Sequence, residues 1–145
     1  MKKTFTLKSS KSKSLNGIIV VPSDKSISIR SLIISSTCLG NTKIFKLLES
    51  EDVLNTLKVL QNLKIKIIKN NDYYEIFGQG GFFSDPQKIL HFGNSGTGVR
   101  LMAGLLGTSE INATLTGDKS LSSRPMKRII DPLQEMNVSI THNNG

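Results

Sequence analysis

The chain repeats itself at a spacing of about 70 residues, and a repeat of that length implies a stack of similar supersecondary units. In the first copy, Gly17–Val21 (GIIVV) reads as a buried strand ending at Pro22-Ser23. Ser23 and Asp24 are N-cap types, and an apolar helical pattern follows through Ile27, Leu32, Ile33 and Cys38 to Gly40. Thr42–Leu48 alternates like a strand, and Ser50-Glu51-Asp52 opens a second helix with Val53, Leu57, Leu60 and Leu63 at helical spacing. Lys64–Lys69 alternates lysine with isoleucine, the turn Asn70-Asn71-Asp72 follows, and YYEIFG returns as a hairpin partner. The order then recurs. KILHFG (88–93) is a strand, a helix runs from near Ser95 to Gly107, and INATLTG is a strand. Pro125–Met136 is a helix with proline in its first turn, and NVSITH (137–142) is a closing strand. Arg30 and Arg100 hold equivalent places early in the first helix of each copy. The fold class expected is therefore α/β, built from β-α-β-α-β-β units. The second copy lacks a hairpin partner after the turn signal HNNG, so the chain reads as a fragment ending inside its second repeat.

With 145 residues, 37% hydrophobic and 21% charged, the chain can bury a real core and is not of disordered composition. No apolar run reaches the length of a membrane span, and the basic start MKKTFTLKSSKSKS has no apolar stretch of a secretory signal. A lone cysteine, Cys38, excludes an internal disulfide and fits a reducing, cytoplasmic setting; its apolar neighbours suggest a buried, inert thiol. Neither His91 nor His142 has metal-ligand spacing, so no metal site is expected. The net charge of +8 leaves three readings: a nucleic acid, a small anion, or solvated lysine faces. Nucleic-acid modules interleave aromatics with basic residues or cluster arginine, whereas this chain has no Trp and scatters its lysines. The run Lys8–Lys13 reads as a solvated edge or hinge.

The arginines are more telling than the lysines, because only four are used: Arg30, Arg100, Arg124 and Arg128. A guanidinium grips carboxylate or phosphate with two parallel bonds, which an ammonium does not do. Three of the four close short polar segments, DKSISIR (24–30), GNSGTGVR (93–100) and GDKSLSSR (117–124), a pattern suited to lining an anion pocket. The first segment starts a helix whose free N–H groups favour an anion, and Lys25, Ser26 and Arg30 stand there; a capped surface helix with solvated charges fits the same letters. In the second, glycines let backbone amides approach an anion closely, though a plain tight turn is an equal alternative. Its spacing is neither a Walker loop nor a dinucleotide fingerprint. Arg100 is expected to brace that loop. Arg124, directly before Pro125, can swing toward a ligand, while Arg128 reads as a solvated residue balanced by Asp131 or Glu135.

Four ordered motifs, PSDKSISIR (22–30), LLESEDV (47–53), FGNSGTGVR (92–100) and GDKSLSSRPM (117–126), together resemble the enolpyruvyl transferase family, and within it the branch that acts on shikimate 3-phosphate. The resemblance covers nearly the whole chain but only the first third of such an enzyme. It implies an inside-out α/β barrel fold of two lobes, each with three β-α-β-α-β-β units, of which about one and a half to two are present. Residues 1–21 would then form a strand and hinge of the other lobe. Residues 22–145 would be part of one lobe, with a first repeat at about 22–86 and an incomplete second at about 87–145. The implied reaction transfers the enolpyruvyl group of phosphoenolpyruvate to the 5-hydroxyl of shikimate 3-phosphate and releases phosphate, with no metal or organic cofactor. By motif, Lys25 would be catalytic and touch both substrates, Ser26 and Arg30 would hold shikimate 3-phosphate, and Gly96 and Arg124 would hold phosphoenolpyruvate. The partners implied are those two small molecules, with no nucleic acid or membrane, in a cytoplasmic monomer. The fragment alone is expected to be inactive. Ser95 and Gly98 replace the alanines common in the family, and the retained Gly96 predicts sensitivity to glyphosate. The rival readings are the UDP-N-acetylglucosamine enolpyruvyl transferase, which usually has Lys-Asn where this chain has Lys25-Ser26, and a basic nucleic-acid-binding module.

Overall fold

A computed structural model describes residues 5–12 and 14–143. Five helices and five strands follow one another as α1 (Lys25–Thr37), β1 (Leu39–Phe45), α2 (Glu51–Asn62), β2 (Lys66–Lys69), β3 (Tyr73–Gln79), β4 (Leu90–His91), α3 (Gly96–Leu106), β5 (Leu115–Thr116), α4 (Lys119–Ser122) and α5 (Lys127–Glu135). The turn at residues 70–72 brings β3 back antiparallel to β2, and β1 pairs along the other edge of β3 in the order β1-β3-β2. Ile44 stands opposite Tyr74, and Thr42 and Ile67 opposite Ile76. Helix α2 turns Val53, Thr56, Leu57 and Leu60 inward at helical spacing, as its sequence requires. In the second unit β4 and β5 pair in parallel, Leu90 opposite Leu115. One apolar cluster runs through both units, from Ile29, Leu32 and Leu60 to Phe92 and Met102, all fully buried. The two units therefore share a core.

Gly78 permits a close approach between backbones. A Cβ there would lie 2.3 Å from the Cys38 carbonyl oxygen and 2.4 Å from that of Ser35, so the end of α1 sits directly on β3. The Gly80 N–H donates to the same Cys38 carbonyl at 3.0 Å.

Several expectations need correction. Residues 17–21 form no strand and are exposed, Ile18 at 98%, because no described strand offers them an edge to pair with. Residues 137–142 also form no strand; a hydrogen bond from Gln134 to the Ile140 carbonyl holds the segment instead. Helix α5 begins two residues after Pro125, which therefore lies ahead of the helix and not in its first turn. The polar segment 117–124 contains the single turn α4, capped by Asp118, whose carboxylate accepts from the Leu121 N–H at 2.7 Å. Cys38 is exposed, since it caps α1 and leaves the buried face of the helix. Ile27 points outward too. Lys13 of the basic run and the last two residues of HNNG lie outside the described residues.

Candidate anion-binding site

The first half of the site is the start of α1. Asp24 caps it, its carboxylate accepting from the Ile27 N–H at 2.7 Å, which fixes where Lys25, Ser26 and Arg30 project. The Ser28 hydroxyl donates to the Asp24 carbonyl and accepts from the Leu48 N–H at 3.1 Å, tying the loop before α2 to this end of α1. Lys25 is exposed, and its Nζ lies 2.8 Å from Asp52 Oδ2 on the first turn of α2. Arg30 is also exposed, and among the described residues it has no ion-pair or hydrogen-bond partner. Ser26 is half-buried with its hydroxyl equally unengaged.

The second half lies beyond the ends of β4 and β5. Because these strands are parallel, their C-terminal ends emerge side by side and deliver the starts of α3 and α4 to one place. The Gly93 carbonyl accepts from the Asp118 N–H at 2.9 Å, and the Gly93 N–H donates to His91 Nδ1 at 3.1 Å. Gly93 has φ 58°, the left-handed region where glycine is favoured. Ser95 caps α3, its hydroxyl accepting from the Gly98 N–H at 3.2 Å. Gly96 opens that helix between two guanidinium groups. A Cβ at Gly96 would lie 2.6 Å from Arg124 Nη1 and 3.0 Å from Arg100 Nη1. Arg100 Nη1 donates to the Gly96 carbonyl at 3.2 Å, the expected brace, while Arg124 Nη2 donates to Asn94 Oδ1.

The electrostatics of this half are one-sided. Burial holds the Arg100 guanidinium below its ordinary value, and the charges of Arg128 and Arg124 add to the shift. Arg100 Nε is buried without a hydrogen-bond partner. No described carboxylate forms an ion pair with Arg100, Arg124 or Arg128. The expected balance of Arg128 by Asp131 or Glu135 is therefore absent; Arg128 adds to a cluster of three like charges. Such a cluster at a helix N-terminus favours an anion.

Helix α2 joins the two halves. Asp52 reaches back to Lys25, while Asn55 and Glu51 lie against Gly93 and the Thr56 hydroxyl against Gly98. Lys25 with Asp52, and Gly96 with Arg124, thus sit at the two ends of one interlocked set of helix starts. Arg30 is left free on the surface of α1. The site is open: a concavity of about 100 Å³ lies elsewhere, bordered by Glu49, Lys69 and Tyr74. Sequence reading overlooked Asp52 and Asn94 as site residues. Asp52 was visible only inside the motif LLESEDV, and Asn94 only inside GNSG.

Comparison with known proteins places the chain in a family. The family model described as EPSP synthase (3-phosphoshikimate 1-carboxyvinyltransferase) fits residues 9–145. The 3-phosphoshikimate 1-carboxyvinyltransferase of Bartonella henselae is 50% identical over 147 residues, covering 99% of this chain and 33% of that protein. That of Rhodopseudomonas palustris is 49% identical over 136 residues, covering 92% and 31%. The solved EPSP synthase of Acinetobacter baumannii superposes with a TM-score of 0.82 at 38% identity, covering 89% of this chain and 30% of that one. The chain thus spans about a third of the length of the curated relatives it matches. Its fold is that of the inside-out α/β enolpyruvyl transferases. Within that class, the chain belongs to the EPSP synthase family.

Proposed function

We propose that this chain is the N-terminal part of an enzyme that moves the enolpyruvyl group of phosphoenolpyruvate onto the 5-hydroxyl of shikimate 3-phosphate. The observation that carries the reading is the convergence of Arg100 and Arg124 on Gly96 at the start of α3, with no carboxylate to neutralise them. Two anionic substrates packed together require such converging cations, and cations already in place need no reorganisation as the substrates arrive. Arg124 grips phosphoenolpyruvate together with the Gly96 backbone, whose N–H donates to the Asn94 carbonyl at 2.9 Å while no substrate is bound. Ser26 and Arg30 hold shikimate 3-phosphate, the hydroxyl and the fork both being unengaged in the ligand-free chain. Lys25, at the start of α1, touches both substrates and is the catalytic residue that this part contributes. The 5-hydroxyl oxygen gives up its proton and bonds to C2 of phosphoenolpyruvate while C3 gains a proton. The tetrahedral intermediate then loses phosphate and returns that C3 proton.

Neither a metal nor an organic cofactor has a part in this scheme. The relatives' additional length supplies the remaining ligands and acid–base carboxylates, so these 145 residues do not turn over alone. Residues 1–21 cross to the other lobe, which accounts for the exposed apolar side chains of Ile18, Ile19 and Val20. Residues 22–86 and 87–145 are the first repeat and part of the second. The enzyme works as a cytoplasmic monomer on small molecules and does not bind nucleic acid. No described helix is long and apolar enough to cross a membrane. Family membership favours shikimate 3-phosphate over a UDP-sugar as the acceptor. The test is phosphate release from phosphoenolpyruvate by the polypeptide at its relatives' full length. Release that requires shikimate 3-phosphate is expected; release driven by UDP-N-acetylglucosamine instead would overturn the reading.

A further inference from the structure

A carboxylate has no obvious place in a site built for anions, yet Asp52 stands in this one. It is the only described acid paired with any of the site's cations, and it is paired with the ammonium, not with a guanidinium. The distance is 2.8 Å, and the Asp52 side chain is only 18% exposed against 48% for Lys25, so the acid is the fixed member of the pair. Two further features fix it. Asp52 is in the first turn of α2, where the helix dipole favours a negative charge, and its carbonyl accepts from the Thr56 hydroxyl at 2.9 Å. Arg100 and Arg124 need no such partner, because they hang on the Gly96 carbonyl and on Asn94. Lysine has a flexible four-carbon stem ending in a point charge, and nothing else described holds the Lys25 ammonium.

We infer that Asp52 is a positioning residue: it holds the Lys25 ammonium at the meeting point of the two helix starts, ready for the substrates. The inference rests on the reading of Lys25 as the residue that touches both. It carries an unusual signature, because a carboxylate beside an anion site weakens anion binding. Removing its charge therefore relieves repulsion on shikimate 3-phosphate while releasing the ammonium. The ground state gains and the transition state loses.

The experiment uses the full-length protein with Asp52→Asn and Asp52→Glu, reading kcat, the KM for shikimate 3-phosphate and the melting temperature. Asp52→Asn is expected to lower kcat by about 10- to 100-fold, the scale of a misplaced reacting group, with a KM equal to or below that of the parent. Asp52→Glu keeps the charge and returns part of the kcat. In a Lys25→Met background, Asp52→Asn lowers activity no further. A kcat within twofold of the parent overturns the inference, as does a joint loss of kcat, affinity and melting temperature that glutamate does not rescue. Should Asp52→Asn not fold, Asp52→Glu decides alone: a lower kcat at unchanged KM supports the pair, and parental kcat overturns it. A parent protein that never turns over shikimate 3-phosphate overturns both this inference and the function it rests on. A parent whose turnover ignores Asp52 overturns this inference only.

Discussion

Replacing Gly96 with alanine separates binding from folding more cleanly than any other change in this chain. The added Cβ would stand 2.6 Å from Arg124 Nη1 and 3.0 Å from Arg100 Nη1, both the far ends of flexible side chains held by single hydrogen bonds. Regaining ordinary contact moves the Arg124 fork by roughly 0.8 Å and the Arg100 fork by about half as much. A displacement near 1 Å at a substrate grip costs up to about 100-fold. The expected loss in kcat/KM for phosphoenolpyruvate is thus about 10- to 100-fold, or ~1.4 to 2.7 kcal/mol of transition-state stabilisation. Stability should move the other way. Gly96 begins a helix without a left-handed backbone angle, so alanine there stabilises by about 0.4–1 kcal/mol, which raises the Tm of the full-length protein by about 1 °C or less. Phosphate release against phosphoenolpyruvate concentration, with circular dichroism for Tm, reads both effects in the full-length protein. Glyphosate, as a phosphoenolpyruvate mimic, should inhibit the parent and lose potency on Gly96→Ala. A KM for phosphoenolpyruvate within twofold of the parent would refute the reasoning. So would a Tm lowered by many degrees, which would make Gly96 a packing residue.

Gly78→Ala should act only on stability, because its Cβ meets backbone carbonyls at 2.3 and 2.4 Å that cannot swing aside. A loss of about 2–4 kcal/mol, at the large end for single substitutions, is expected in chemical denaturation, with KM for both substrates unchanged. Hydrogen bonds from Lys69 and then Tyr74 hold the Glu49 carboxyl below its ordinary range, while the bond to Glu49 holds Lys69 above its own. The Glu49 contribution is therefore present above the unfolded carboxylate pKa and lost as pH falls through the lowered folded value. The Lys69 contribution is present below the unfolded ammonium pKa and lost as pH rises through the raised one. Lys69→Met should accordingly flatten both the acid and the alkaline limbs of Tm against pH and leave the neutral plateau flat. Cys38, exposed at the end of α1, should take up one equivalent of a thiol reagent in the native state, and protection from labelling would contradict its placement.

Elements whose signals are local could be read from the letters alone. Val53, Leu57 and Leu60 at helical spacing specify α2, and the turn at Asn70–Asp72 specifies the β2–β3 hairpin. Segments 17–21 and 137–142 have equally good strand composition, but a strand exists only where another edge accepts its hydrogen bonds, and composition does not supply one. Helix α4 is a single turn held by the Asp118 cap and carries no apolar period to detect. Cys38 has apolar sequence neighbours, yet the helix ends there and turns it outward. The polar loops that carry Gly96 and Arg124 were legible as small and forked residues ahead of helices, whereas the meeting of those two residues was not. The pair of Lys25 with Asp52 was not, since the two lie 27 residues apart on different helices. Arg128 was misread as neutralised because its own helix offers acids at the right spacing, yet no described acid pairs with it and its charge is felt by Arg100.

In the proposed enzyme the start of α1 and the start of α3 grip two different anions. Calorimetric titration of the full-length protein, first with shikimate 3-phosphate and then with phosphoenolpyruvate, tests it most directly when repeated on Arg30→Ala and Arg124→Ala. Arg30→Ala is expected to weaken shikimate 3-phosphate binding about tenfold or more, as loss of a charge-assisted contact implies. Arg124→Ala is expected to leave that affinity intact and abolish phosphoenolpyruvate binding. Loss of both ligands in either variant, or shikimate 3-phosphate affinity that ignores Arg30, would contradict it.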